Sequence, residues 1–509
     1  MKHSFTLKSF TLVFLLIITI RNSFAQTTIN GMVRTRTEYR NGQGTLPEVG
    51  RTPSVFTSQR TRLNFGHNTD RFRLFTTIQD VRVWGQDGST ISNADGNKLF
   101  LHEAWGEIIF NDTVRLKNIK NLSLKIGRQE IAYDDEKLLG ALGWLQQGRR
   151  HDAAVLKFAH KTWIVDIGAA FNQDREKKNA GNLYQGIPLA QLGSDSVNYA
   201  AAAGSNAIGR MYKTMNYLYL AKEFGFTKVT YLFFRDGFQK HGSATIGSLK
   251  KGENERYTTG LSVYGTLMRK HKIDAQAFYQ GHQDKDGNTM DAWMFSLNTQ
   301  FGIGRKFTTG PGYDYLSGNN TTKTTTVNNR FDPLYGTPHK FWGYMDYFYV
   351  ADPYGLNGNP VLSPGLQNLY LKSKYRLRDN LVLNIDAHGF WAANKVANLA
   401  TVADKNDGLN KYLGTEIDLV VNFNLSKAVL VEGGYSVMMG THTLDQLKRP
   451  GRPSAPAAVN QRNNGDWAYL MITIRPDFLG GINTAIADLT KSAKTMQTDI
   501  NTIKETLNK

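Results

Sequence analysis

Basic residues recur at every second position in several short stretches, and this spacing is the main chemical signal of the chain. Arg34, Arg36 and Arg40 share a parity with Glu38, while Gly31, Val33, Thr35, Thr37 and Tyr39 fall between them. Arg60 and Arg62 stand with Asn64 opposite Thr61, Leu63 and Phe65, and Arg71 and Arg73 stand opposite Phe72 and Leu74. Lys372, Lys374 and Arg376 alternate with Leu371, Ser373 and Tyr375. A period of two turns successive side chains to opposite faces of a strand. Each stretch therefore presents a ladder of cations on one face. Guanidinium groups are planar forks matched to carboxylate or phosphate, so such ladders suit a polyanion moving in single file. Acids share the wet faces at Glu103, Glu107, Asp274, Asp386, Glu416, Asp418 and Glu432. The plainer reading is that these charges neutralise one another around the waist of a general pore. The overall balance of 61 Lys and Arg against 43 Asp and Glu favours anions.

Other chemistry finds little support. His388 beside Asp386 offers a base and a partner, but a solvated pair explains both residues more simply. Asp284-Lys285-Asp286-Gly287-Asn288 resembles a calcium loop only loosely, because its glycine falls at the fourth position rather than the sixth. A turn is the better reading. No compact Ser–His or paired-acid site, phosphate-cradling glycine loop or Cys/His metal spacing is present, so no catalytic residue, metal or cofactor is expected. The net charge of +18 comes with no nucleic-acid motif and no basic amphipathic helix, and nucleic acid is not an expected partner.

The elements that would carry these ladders are strands of about ten residues, one face wet and the other apolar. Leu413, Thr415, Ile417, Leu419, Val421 and Phe423 oppose Gly414, Glu416, Asp418 and Asn422. Leu381, Leu383, Ile385, Ala387, Gly389 and Trp391 oppose Asn384, Asp386 and His388. Carboxylates at mid-strand are costly in a sandwich core but at ease in a water-filled lumen whose outer wall faces lipid. A mean hydropathy of −0.41 is compatible, since half of each such strand is polar. The N-terminus supplies a route. Lys2 and Lys8 precede the apolar run Phe10–Ile20, and Ser23-Phe24-Ala25 ends in a cleavage site, which predicts a signal peptide over residues 1–25. Removing it takes away Lys2, Lys8 and Arg21 and no acid, so the mature chain stays basic. The absence of cysteine excludes disulfides and a lipidated cysteine.

The alternation predicts an all-β, antiparallel transmembrane barrel of about eighteen strands over residues 26–480, in the outer membrane of a Gram-negative-type cell. Tight connections are expected near Gly66–Asp70, His160-Lys161, Phe224–Phe226, Met268–His271, Gly302–Gly304, Arg378–Asn380 and Asn424–Ser426, with Asn111–Asn121 somewhat longer. Long external loops are expected at Trp84–Lys98, Ile131–Arg150, Asn172–Arg210, Gln239–Glu255, Ser317–Gly365, Ala392–Asn410 and Met439–Gly465, with a short one at Asp284–Met290. Phe65, Phe110, Trp163, Phe301 and Phe423 at one end and Tyr39, Phe171, Trp391 and Tyr435 at the other predict two aromatic girdles in contact with outer-membrane lipid. Past Gly480-Gly481 the period changes. Ile482, Ile486, Leu489, Ala493, Met496, Ile500, Ile503 and Leu507 step in a heptad pattern, which predicts a short C-terminal α-helix over residues 481–509 on the periplasmic side. Its seam would need cover from a second copy, a periplasmic protein or the barrel mouth.

Two stretches go beyond pattern. Ile126-Gly127-Arg128-Gln129-Glu130 followed by Leu138-Leu139-Gly140, Trp144 and Gly148-Arg149-Arg150-His151-Asp152 resembles the signature of the alginate-export family of outer-membrane barrels. Tyr313-Asp314-Tyr315-Leu316-Ser317-Gly318, leading to Phe331-Asp332-Pro333-Leu334-Tyr335 and His339-Lys340-Phe341-Trp342-Gly343-Tyr344-Met345-Asp346, resembles it too. The resemblance implies an eighteen-stranded monomeric barrel with an arginine-rich constriction that conducts a negatively charged polysaccharide. Arg128, Glu130, Arg149 and Asp152 match its motif and would belong to that constriction. Alternation points Lys125 and Gln129 inward but Arg128 outward, and a bulge or a position above the membrane band would be needed to reconcile the two. The expected substrate path is thus Arg34, Arg36, Arg60, Arg62, Arg73, Lys125, Arg128, Glu130, Arg149, Asp152, Lys372, Lys374 and Arg376. The function expected is a passive channel for an anionic polysaccharide or acidic saccharide. The alternatives are a general or uptake porin for small anionic solutes and, more remotely, an enzyme or adhesin built on a barrel.

Overall fold

The computed structural model describes residues 26–85, 99–110, 119–173, 184, 211–241, 249–350, 354–356, 359–398, 408–448, 464–480 and 492. The expected signal peptide and the heptad seam lie outside the described residues. Eighteen strands form one closed antiparallel wall. The first half comprises β1 (Gln26–Asn41), β2 (Ser54–Asn68), β3 (Phe72–Val83), β4 (Phe100–Ile109), β5 (Ile119–Gln129), β6 (His151–His160), β7 (Trp163–Phe171), β8 (Thr214–Phe224) and β9 (Thr227–His241). The second half comprises β10 (Leu249–Leu267), β11 (His271–Gln283), β12 (Thr289–Ile303), β13 (Phe307–Leu316), β14 (Leu366–Arg378), β15 (Leu381–Ala392), β16 (Tyr412–Asn424), β17 (Val429–Gly440) and β18 (Asn464–Ile474). Each strand pairs with its sequence neighbours, and β1 closes the circle by pairing with both β2 and β18. Closure leaves no unpaired edge, which is what a sheet spanning lipid requires.

The alternation in the sequence becomes the two faces of this wall. Leu369, Leu371, Ile385, Ile417 and Leu470 are exposed on the outside, while Asn368, Asp386, Glu416 and Asp418 are buried within. Phe110, Trp163, Phe171 and Tyr435 are exposed near the two ends, as girdles should be. One residue departs from the pattern. Leu413, expected outside with Ile417 and Leu419, is fully buried. The cause is a bulge, with Gly414 at φ +144° where β16 shifts register against Phe390 and Trp391 of β15.

The long connections after β5 and β13 do not stay outside. Leu138, Leu139 and Leu142 of the first, and Phe331, Tyr335, Trp342, Met345, Tyr347 and Phe348 of the second, are buried inside the barrel. The two segments pair with each other. Leu139 and Tyr335 form a parallel bridge, extended by Tyr335 N–H to Leu138 O at 2.9 Å and Thr337 N–H to Glu136 O at 2.8 Å. The short helix α1 (His442–Lys448) seals the group with the buried side chains of Leu444 and Leu447. Inward residues of β14 record how far this plug reaches. Leu366, Asn368 and Tyr370 are buried against it, Lys372 is half-buried, and Lys374 and Arg376 are exposed. The plug therefore fills the long-loop half of the lumen and leaves the short-turn half wet.

Candidate functional site

The site is built where the β1–β2 wall meets the first inward loop. Arg34, Arg36 and Arg60 all point inward and are buried. Arg34 donates from Nη1 to Gly143 O at 2.8 Å, from Nη2 to Trp144 O at 3.1 Å and from Nε to Gln146 Oε1 at 3.0 Å. Arg36 donates to Trp144 O at 2.9 Å and to Glu38 Oε1 at 2.8 Å. Arg60 donates to Gln146 O at 2.5 Å, to Gly143 O at 3.2 Å and also to Leu145 O. These guanidinium groups satisfy the carbonyls that an inward loop would otherwise bury unpaired. Arg34 and Arg60 have no carboxylate at ion-pair distance among the described residues.

Arg62 donates to Gln79 at 2.6 Å and lies 3.5 Å from Glu130, whose Oε1 is also 2.7 Å from His102 Nε2. Burial would raise the Glu130 carboxyl, but its bond to His102 and the charge of Arg62 outweigh it and hold the group below the usual range. Arg149 is wholly enclosed, donating to Gly336 O at 2.5 Å, and burial pushes its guanidinium down to about 10. Lys125 lies 3.9 Å over the Trp105 ring, and Arg73 pairs with Glu107 at 3.2 Å. Lys372 lies 3.3 Å from Asp386 and donates to Lys340 O at 2.9 Å, while Lys374 and Arg376 continue its face toward the short turns.

Two residues carried over from the family motif sit elsewhere. Arg128 and Asp152 are register partners on β5 and β6, and they form a two-bond ion pair at 2.8 and 2.9 Å on the outward face. The pairing of β4 with β5 runs on without a register shift through Gly127 and Arg128, so the bulge that would have turned Arg128 inward is absent. Alternation, not the motif, gives its direction.

Aromatic residues that the charge pattern could not flag tie the two loops together. His339 stacks with Trp144 (4.2 Å, 11°) and with Tyr344 (5.0 Å, 22°), and Arg36 lies 4.1 Å over the Trp144 ring. His339 Nδ1 is 2.7 Å from Asp346 Oδ1. On the next wall Glu416 accepts the Met345 N–H at 2.8 Å. Gly343 lies beside it at φ +84°, where a Cβ would come within 2.6 Å of the Glu416 oxygens. The signal for all this was present in the sequence: Leu138-Leu139 and the run from Phe331 to Phe348 are too apolar for loops exposed to water. The two weaker motifs also find places. Asp284 accepts the N–H groups of Asp286 and Asn288 and the amides of Asn288 and Asn328, which makes it the cap of a turn. His388 bonds Asn368 at 3.0 Å rather than Asp386.

In overall shape the chain is similar to solved outer-membrane barrels. OprD from Pseudomonas aeruginosa superposes with a TM-score of 0.53 at 11% identity, over 90% of this chain and 96% of that one. OpdO from the same organism gives 0.54 at 11% identity, over 89% and 98%. OccAB4 from Acinetobacter baumannii gives 0.54 at 12% identity, over 89% and 98%. Among curated proteins none matches the chain by sequence. The model of the alginate-export family matches residues 25–173 and 237–445, a span that takes in the arginine-bearing strands and both inward loops. With most of its length matched and a closed eighteen-stranded wall around a loop-filled lumen, the chain belongs to the alginate-export family and is an outer-membrane channel.

Proposed function

We propose that this channel passively conducts an anionic polysaccharide or a related acidic saccharide, with lumenal Arg and Lys acting as its filter. The observation that carries this reading is the set of inward guanidinium groups on β1 and β2. Arg34 and Arg60 lack a carboxylate partner among the described residues, and Lys374 and Arg376 stand open on the short-turn side. Uncompensated positive charge in a low-dielectric frame raises the local concentration of anions and slows cations. A second reading, uptake of small anionic solutes, draws support from the packing of the two inward loops, since a polymer would have to displace them.

Reversal potentials in planar bilayers test the filter. Anion preference is expected at low salt and should fade as the Debye length shrinks from about 10 Å at 0.1 M to about 3 Å at 1 M. Arg62→Glu with Lys372→Glu should reduce the preference, while Arg128→Glu, on the outward face, should leave it unchanged. Cation preference in the unaltered protein would sink the proposal. Current blockade separates the two readings: acidic oligosaccharides should block and neutral dextrans should not, whereas passage of small anions with no polymer blockade favours the second.

A further inference from the structure

The short-turn end of the barrel interleaves exposed cations with exposed apolar side chains. At the long-loop end Arg82 pairs with Asp80 at 2.7 Å, Arg128 with Asp152 at 2.8 Å and Arg235 with Glu255 at 2.6 Å, while Lys250, Lys251 and Lys411 are exposed without a carboxylate partner among the described residues. At the short-turn end, Lys161, Arg269, Lys270, Arg305, Lys306 and Lys427 are exposed on the hairpin tips. None of these six has a carboxylate partner among the described residues. Among the described residues the short-turn end offers Asp70, Glu223, Asp379 and Asp477 in return. Arg269 beside Lys270 and Arg305 beside Lys306 are like charges adjacent in the chain that repel each other, and an external anion relieves that repulsion.

The tips are also apolar. Met268 is 84% exposed, Phe226 64%, Leu425 63% and Ile303 56%. Cations and rings are interleaved, with Lys222 Nζ 4.4 Å from the centre of the Trp163 ring and 4.7 Å from that of Phe224, and Arg269 5.9 Å from that of Phe226. A rim built only to attract a soluble polymer has no use for naked Met, Leu, Ile and Phe. A rim seated in a headgroup layer does, because the apolar groups enter the acyl boundary while long basic side chains reach back to the phosphates. Short turns face the periplasm in barrels of this kind. We propose that the periplasmic rim, from the β6–β7 turn round to the β16–β17 turn, docks anionic phospholipid headgroups of the inner leaflet. This surface is independent of what passes through the lumen.

Native mass spectrometry of the full-length barrel, exchanged into equal amounts of phosphatidylglycerol and phosphatidylcholine, tests it. The unaltered protein should retain phosphatidylglycerol in excess, and the excess should fall as salt rises from 0.1 to 1 M. The quadruple variant Arg269→Gln, Lys270→Gln, Arg305→Gln, Lys306→Gln should lose at least about fivefold of that enrichment. Arg82→Gln with Arg128→Gln at the other end should lose none. Heat-modifiable migration on gels confirms that each variant remains a folded barrel. Equal retention of the two lipids, enrichment insensitive to salt, or full enrichment in a folded quadruple variant overturns the proposal. So does a variant that keeps its lipids but no longer responds to a polyanion added on the periplasmic side, since the rim would then serve a soluble polymer.

Discussion

Single side chains decide whether the first inward loop stays in place. Arg60 makes three hydrogen bonds to its carbonyls, and a bond from a charged donor is worth about 1.5–3 kcal/mol. Arg60→Ala is therefore expected to ease local opening by at least that amount, raising amide exchange across Leu145–Gly148 tenfold or more while the wall strands stay protected. Unchanged exchange would mean the loop is held by packing alone. Glu130 adds a pH dependence. Its carboxyl sits below its ordinary value in the folded state, so its contribution is complete above the ordinary glutamate range and is lost as the pH falls through the depressed value. Loop exchange should accelerate on acidification, and Glu130→Gln should remove that component; an identical acid response in the variant would rule Glu130 out. Gly343→Ala places a methyl against the Glu416 carboxylate at a positive φ, and is expected to cost about 1–3 kcal/mol in thermal unfolding.

Among the elements, the wall and the loops answer to different forces. The wall is held by its hydrogen-bond ladder and by lipid on its apolar face, so its existence depends on pattern more than on particular residues. The plug is held by contacts between segments far apart in sequence: the Leu139–Tyr335 bridge, the Trp144–His339–Tyr344 stack and the Arg256–Asp332 pair at 2.5 Å. Shortening the first loop by removing residues 138–147 is expected to raise single-channel conductance severalfold without loss of the folded barrel. Conductance that does not change would show that ions bypass this loop. Trp144→Ala should act in the same direction and more weakly, because His339 keeps its partners Tyr344 and Asp346.

Taken as a whole, the molecule is asymmetric about the membrane, with long connections at one end and tight turns at the other. Protease added to intact cells is expected to cut only within the long connections, for example in residues 185–210 or 451–463. Cleavage from outside at Arg378–Asn380 or Asn424–Ser426 would reverse the topology. The same asymmetry separates a wet, basic vestibule around Lys374 and Arg376 from the packed half above Tyr370. In the proposed function and orientation, a solute entering from the short-turn end meets Lys374 and Arg376 before it meets the plug.

The alternation by itself determined the strand count, the places of the tight turns and, apart from Leu413 at the bulge, which side chains named on the strands face lipid. Those properties follow from a period of two and from turn chemistry, both local to the chain. Arg34, Arg36, Arg60, Arg62, Lys372, Lys374 and Arg376 were placed on the inward face for the same reason, and alternation also gave Arg128 its outward direction. What those cations touch was a tertiary matter. Whether Arg60 meets water or the Gln146 carbonyl depends on a loop 86 residues away folding back through the mouth of the barrel, and no local period encodes that return. The inward course of the Glu130–Arg150 and Ser317–Gly365 segments was legible only as an excess of Leu, Phe, Tyr and Trp in long connections. Their burial required the closed wall, because only a completed barrel supplies an interior to fill.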